Sequence, residues 1–178
     1  MTEISFLFLG LLFAGIWVLL RIIVWRQKGR IDWKREAVLL LMYINLAVIL
    51  RFTFFPMDRV DGRIQPLVFD PATAYPFRIN LVPLKQLLWF ETKRDLLMNL
   101  IGNVTMFIPS GIILPILYKK LNSFWKVAGC GLLISLCIEI LQLPFSSRGT
   151  DVDDLLLNTF GVAVGYGIYA LAKRLKRT

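Results

Sequence analysis

The sequence predicts an all-α fold: a polytopic transmembrane helical bundle of about five spans, with the N-terminus outside and the C-terminus in the cytoplasm. Three observations lead there. Hydrophobic residues make up 57% of the 178 positions and the mean hydropathy is +0.65, a composition of membrane-embedded chains rather than soluble domains. Five apolar runs approach the length needed to cross a hydrocarbon core of about 30 Å at about 1.5 Å of rise per residue. The basic residues, finally, are divided unequally between the segments that join those runs.

The first span is read from Ile4 to Trp25. Glu3 stands where a signal peptide would carry bases, and no small-residue cleavage site closes the run, so it is expected to be a retained helix. The second span, Glu36 to Phe55, holds Asn45 deep in its apolar stretch, placed to bond a neighbouring helix. The third, Asp95 to Tyr118, contains Pro109 and Pro115, which are expected to kink or loosen it and free carbonyls for neighbours to satisfy. The fourth runs from Phe124 to Phe145. The fifth, Leu155 to Ala172, carries Gly161, Gly165 and Gly167 in a close-packing pattern, read first as contact within the chain, with dimerisation as the alternative. These spans organise the chain into a first helix and basic loop (1–35), one membrane domain (36–172) and a basic tail (173–178). Between spans two and three lies a loop at about 57–94, whose Pro66, Pro71, Pro76 and Pro83 forbid one continuous helix. It is expected to fold over the bundle mouth, with Asn80–Leu84 and the amphipathic run 85–90 forming a short interfacial helix.

Orientation follows from the charges. Thirteen bases, among them Arg21, Arg35, Lys126 and Lys173, flank one end of the spans against only Asp32 and Glu36, and that end is assigned to the cytoplasm. The same rule accounts for the net charge of +9 without nucleic acid, which is not expected as a partner. The chain has no histidine and only two cysteines, Cys130 and Cys137, seven apart in one apolar run. Zinc sites and disulfide frameworks are therefore not expected, and a histidine-containing triad is impossible. No cofactor is predicted; a metal would need oxygen ligands, and Asp151, Asp153 and Asp154 offer the chemistry for Mg²⁺ or Ca²⁺.

Once the topology is drawn, most intramembrane polar residues fall at one depth, near the outer end. Arg51 closes span two, Asn99 and Asn103 open span three, Glu139 and Gln142 share a face near the end of span four, and Asp154 and Asn158 lie one turn apart at the start of span five. Arg148, Asp151 and Asp153 stand at the entrance. Polar groups at this depth are costly and mark function by default. Read as catalysis, Glu139 is the general base, with Asp154 and Arg51 beside it; Arg51 or Arg148 would hold an anionic group. Asn99, Asn103, Gln142, Arg148, Asp151, Asp153 and Asn158 form the substrate-binding set. Read as structure, the same layer is glue: an Arg51–Glu139 ion pair with asparagines bonding across helices.

A set of motifs follows in order along the chain: Arg51-Phe-Thr-Phe-Phe-Pro56, Asn80-Leu-Val-Pro-Leu84, Asn99-Leu-Ile-Gly-Asn103 leading to Phe107-Ile-Pro-Ser-Gly111, Glu139-Ile-Leu-Gln142, and Arg148-Gly-Thr-Asp-Val-Asp-Asp154 with Asn158-Thr-Phe-Gly161. Taken in this order over roughly residues 36–172, they resemble the VanZ-like family. The resemblance implies a multi-pass protein of the bacterial cell membrane. The family's founding member is linked to teicoplanin resistance that does not depend on rebuilding the peptidoglycan precursor terminus, and the resemblance carries no established catalytic role with it. Three functions follow as expectations. The first is an envelope protein contributing to resistance or envelope maintenance by binding a lipoglycopeptide or a cell-wall component, with membrane lipids as surroundings. The second is a membrane-embedded enzyme acting on a lipid-linked or wall substrate through Glu139. The third is a structural partner assembling through the Gly161 and Gly165 face, and the oligomeric state itself is left open.

Overall fold

A computed structural model describes residues 2–55, 59–60, 62–74, 79–84, 92–146 and 148–176. Among them are five helices long and apolar enough to cross a membrane. They are α1 (Phe6–Lys28), α2 (Trp33–Phe54), α3 (Lys93–Leu117), α4 (Phe124–Gln142) and α5 (Val152–Leu175). The chain is thus an all-α membrane bundle, as its sequence predicts, with helix ends set by local chemistry. Ser5, Asp32, Thr92 and Asp151 each accept a backbone N–H from the first turn of α1, α2, α3 and α5, satisfying donors that a helix start leaves open. Gly29 takes the left-handed conformation that ends α1. Of the interfacial helix expected over residues 80–90, the run 85–90 lies outside the described residues, and 80–84 is not helical: Asn80 ends a short strand and a turn follows, because Asn80 is drawn into pairing with Asp151.

The bundle is organised around α5, which packs along α3 most extensively and along α4 next, while α2 packs on α3. Apolar burial gives little drive for helix association inside a bilayer, because lipid tails are as apolar as leucine; close backbone approach takes over. Glycines supply it. A Cβ at Gly165 would run into the Ile108 carbonyl, one at Gly161 into the Val104 carbonyl, and one at Gly111 into the Val162 carbonyl. The Gly161–Gly165 face is therefore filled by α3 of the same chain and is not open to a partner, while Gly167 faces open space and takes no part. Phe107, Val127 and Val162, all fully buried, fill the seam among α3, α4 and α5.

Asn45 bonds another helix as its depth implied. It donates to the Met106 carbonyl at 2.8 Å and accepts from Ser110 Oγ at 2.6 Å, bracketing Pro109, and α3 continues through both of its prolines. The bundle thus satisfies polar groups beside a residue that cannot donate to the helix ladder.

Helix α1 stands apart, with no fully buried residue. Its ties include the Phe6 ring edge-on to Phe55, the stacked Phe13 and Tyr43 rings, Trp17 against Tyr43, and a bidentate ion pair in which Arg21 donates Nε and Nη2 to Glu36 at 2.8 and 2.6 Å. Both side chains are nearly buried, so the pair is worth more than a surface bridge. A double-mutant cycle of Arg21→Gln and Glu36→Gln, read by unfolding in micelles, is expected to show a coupling of about 2 kcal/mol. Coupling near zero would mean that the rings alone hold α1.

Among the described residues, six short strands accompany the helices. β1 (Thr2–Ile4) pairs antiparallel with β4 (Leu67–Phe69), β2 (Arg59–Val60) with β3 (Arg63–Ile64), and β5 (Ile79–Asn80) lies parallel to β6 (Thr150–Asp151). β4 is a strap: besides β1, it touches the α4–α5 connection through a Phe69–Phe145 bridge and a bond from Ser146 N–H to the Val68 carbonyl. The described part of the long loop therefore folds over the bundle mouth, as expected.

Candidate functional site

The polar layer is built where α4 ends and α5 begins. Asp151, in extended conformation, caps α5; its Oδ1 accepts from the Asp153 N–H at 3.0 Å and from Asn80 Nδ2 at 3.1 Å. The parallel pairing of Ile79–Asn80 with Thr150–Asp151 brings Asn80 into reach. One turn of α4 is stitched to the same point: the Asp151 N–H donates to Glu139 Oε2 at 3.0 Å, and Thr150 Oγ1 donates to the Glu139 carbonyl at 2.9 Å. Glu139, 2% exposed, thus meets a backbone donor rather than the Arg51 guanidinium, and the ion pair of the glue reading is not how this carboxylate is held.

The two further aspartates sit in the first turn of α5, where the helix dipole favours negative charge. Asp153 Oδ1 accepts from the Leu84 N–H at 2.7 Å. Leu84 has φ of +66°, a left-handed backbone that costs a non-glycine residue on the order of 1–3 kcal/mol, so the surrounding structure holds it there against its preference. Asp154 Oδ1 accepts from Asn103 Nδ2 at 2.6 Å, joining α5 to α3. Each aspartate is thus engaged by a different donor, and among the described residues no group of three histidine, cysteine or acidic side chains is gathered around a common point for a metal ion.

Gln142 and the two arginines of the layer close the end of α2. Gln142 Nε2 donates to the Thr53 carbonyl, Arg148 Nε to the Phe54 carbonyl at 3.0 Å, and Arg51 Nη1 to the Phe55 carbonyl at 3.1 Å. They satisfy carbonyls that a helix end leaves without partners. The Arg51 guanidinium also lies 5.7 and 5.4 Å from the Phe6 and Phe52 ring centres. Burial lowers the Arg148 pKa from its ordinary value and the neighbouring Arg51 charge lowers it further, while Asp154 opposes both. Burial likewise raises the Asp151 carboxyl, with the Asp153 N–H pulling it back.

Of the sequence-predicted residues, Asn103, Glu139, Asp151, Asp153 and Asp154 converge on one network, and Gln142, Arg148 and Arg51 surround the adjacent helix end. Asn158 lies one turn deeper, 1% exposed, and donates to Ser135 Oγ at 2.9 Å, which makes it an α4–α5 tie. Asn99, one turn before Asn103 on α3, is half-buried and takes no part in the network. Sequence reasoning missed Asn80 and Leu84 as members of this network, and Ser135 and Thr150. Among the described residues, three buried side-chain atoms of the layer have no hydrogen-bond partner: Arg148 Nη2, Asp153 Oδ2 and Asn158 Oδ1. Buried charged and polar atoms are nearly always bonded, so the layer holds more bonding capacity than it uses on itself.

Comparison with known proteins identifies the family. The VanZ/LLP1 family model matches residues 37–173. Protein VanZ of Enterococcus faecium is 36% identical over 76 residues, covering 43% of this chain and 47% of the relative. The uncharacterized membrane protein YwnJ of Bacillus subtilis (strain 168) is 36% identical over 62 residues, covering 35% and 44%. The chain therefore spans about half the length of the curated relatives it matches. No solved structure matches.

Proposed function

Since this chain belongs to the VanZ-like family, we propose that it works in a bacterial cell membrane as a multi-pass protein whose polar end faces outward, and that it contributes to teicoplanin-type glycopeptide resistance or to envelope maintenance by binding the drug or a cell-wall component there. The observation that supports this reading is the surplus of the polar layer: Arg148 Nη2 and Asp153 Oδ2 are buried atoms of charged groups without a hydrogen-bond partner among the described residues. A polar peptide offers the donors and acceptors such atoms lack, and an acyl chain suits the apolar walls below them. Expression in a sensitive Gram-positive host is expected to reduce susceptibility to acylated teicoplanin much more than to unacylated vancomycin. Equal protection against both drugs would refute a role for the acyl chain.

A second reading, favoured by the buried Glu139 carboxylate beside Asp151 and Asp154, is an enzyme acting on a lipid-linked or wall substrate. Glu139 would serve as general base and the guanidinium of Arg51 or Arg148 would hold an anionic group. This reading expects a covalent change in a lipid or wall fraction that vanishes in Glu139→Gln while the protein stays folded. An unchanged fraction in cells making the active wild type would exclude it.

A further inference from the structure

Beside the polar layer, and not part of it, lies an apolar groove of about 360 Å³. Its walls come from three helices: Phe13 of α1, Leu46, Ile49 and Leu50 of α2, and Ile134 and Cys137 of α4, among others. The groove is a consequence of how lightly α1 is attached: α1 touches α2 and leaves the space in front of α4 open. Its position along the helices is specific. The lining of α2 runs from Leu46 to Phe54, and that of α4 from Leu133 to Leu141, each a rise of about 12 Å at about 1.5 Å per residue. Both stretches lie in the half of their helix nearest the polar end, and one leaflet of a hydrocarbon core is about 15 Å deep. The groove thus matches the apolar depth of a single leaflet and stops near mid-membrane.

At its polar end the lining finishes at Thr53 and Phe54, the residues whose carbonyls Gln142 and Arg148 hold. Arg148 and Arg51 flank that point through the successive carbonyls of Phe54 and Phe55. The Arg148 guanidinium, bonded to the carbonyl of Phe54 where the apolar lining ends, complements an anion on a hydrocarbon stem.

We propose that this groove seats one acyl chain of an anionic phospholipid in the leaflet at the polar end, with the lipid's phosphate held by Arg148, whose Nη2 has no hydrogen-bond partner among the described residues. The inference rests on the reading of the polar layer as a binding site, and it adds the class of amphiphile the layer is shaped to receive. A bound lipid places its head group next to the Asp154 and Glu139 cluster, so a wall component or acylated drug that reaches the site competes with it.

The test uses the purified full chain, delipidated in detergent and analysed by native mass spectrometry with added phosphatidylglycerol or phosphatidylcholine of identical chains. The expected result is retention of phosphatidylglycerol in preference to phosphatidylcholine. Filling the groove with Ile134→Trp is expected to lower phosphatidylglycerol retention about tenfold. Alkylation of Cys137 after folding, in a Cys130→Ser background, is expected to do the same without relying on the folding of a bulky variant. Arg148→Gln is expected to leave a lipid bound but abolish the preference between the two head groups. Retention unchanged by both groove blocks would overturn the proposal, since it would place the lipid elsewhere, such as at the basic end; a preference that survives Arg148→Gln would overturn the assignment of the phosphate. Because the readout is lipid binding to purified protein, it separates from the drug-susceptibility test, and either can fail without the other.

Discussion

Gly165→Leu is expected to abolish the folded bundle. The obstacle at this position is backbone: a Cβ would run into the Ile108 carbonyl and come within 3.0 Å of Gly111 Cα. A flexible neighbour could rotate away, as in ordinary overpacking at about 1–3 kcal/mol, but a helix backbone cannot move without separating α3 from α5 along their whole seam. The loss is therefore placed above about 4 kcal/mol, enough to unfold a chain of ordinary stability. The control is Gly167→Leu, two residues on and about 200° round the helix from Gly165, where nothing lies within 4 Å of the added carbon. Thermal unfolding in detergent is expected to show a native transition for Gly167→Leu and none for Gly165→Leu. A stable Gly165→Leu protein would mean that α3 and α5 are not packed through their glycines.

Asp151→Ala is expected to release the strapped loop from the bundle. One oxygen of this carboxylate receives both the Asp153 N–H and Asn80 Nδ2. Removing it deletes the cap of α5, worth about 1 kcal/mol, and strands a second donor in a buried place at about 1–3 kcal/mol. The sum, about 2–4 kcal/mol, falls on the β5–β6 contact, so limited proteolysis within residues 59–84 should accelerate while the helices stay resistant. Asp151→Asn keeps an oxygen acceptor and is expected to be mild. The charge itself works the other way: since the folded carboxyl is raised above its ordinary value, protonation favours the folded state. That contribution is full below the unfolded pKa and is lost as pH rises through the folded one, so mild acid should not loosen this cap. Acid-induced proteolysis at the same loop would contradict it.

Much of this architecture was legible in the sequence because a bilayer imposes it. A hydrocarbon core sets the length and apolarity of each crossing, and the five predicted spans agree with the helices to within a few residues at most ends. The shared depth of Asn103, Glu139 and Asp154 was legible for the same reason, since rise per residue fixes depth. The order of helices around the bundle has no such one-dimensional signal. Glu139 therefore invited pairing with Arg51, the opposite charge at its depth, when the nearest donor is the Asp151 N–H. Asn80 and Leu84 reach the start of α5 through a two-residue parallel pairing some seventy positions away, too short to leave a periodic pattern. Arg21 and Glu36 were counted as topology signals, which hid them as partners. Ser135 did carry a clue: it stands four residues before Glu139, on the same face of α4 as the polar layer.

The central claim is that the polar end acts on something outside the chain rather than only holding helices together, and isosteric neutralisation separates the two most directly. Asp154→Asn keeps an oxygen to accept from Asn103 Nδ2, and Glu139→Gln keeps one to accept from the Asp151 N–H, so each removes charge while sparing the geometry. The measurement is teicoplanin susceptibility of a sensitive Gram-positive host making wild type, Asp154→Asn or Glu139→Gln at equal membrane levels, checked by blot. Protection by the wild type that disappears in both folded variants is the predicted result. Protection that survives both substitutions would contradict it and return these residues to structural glue.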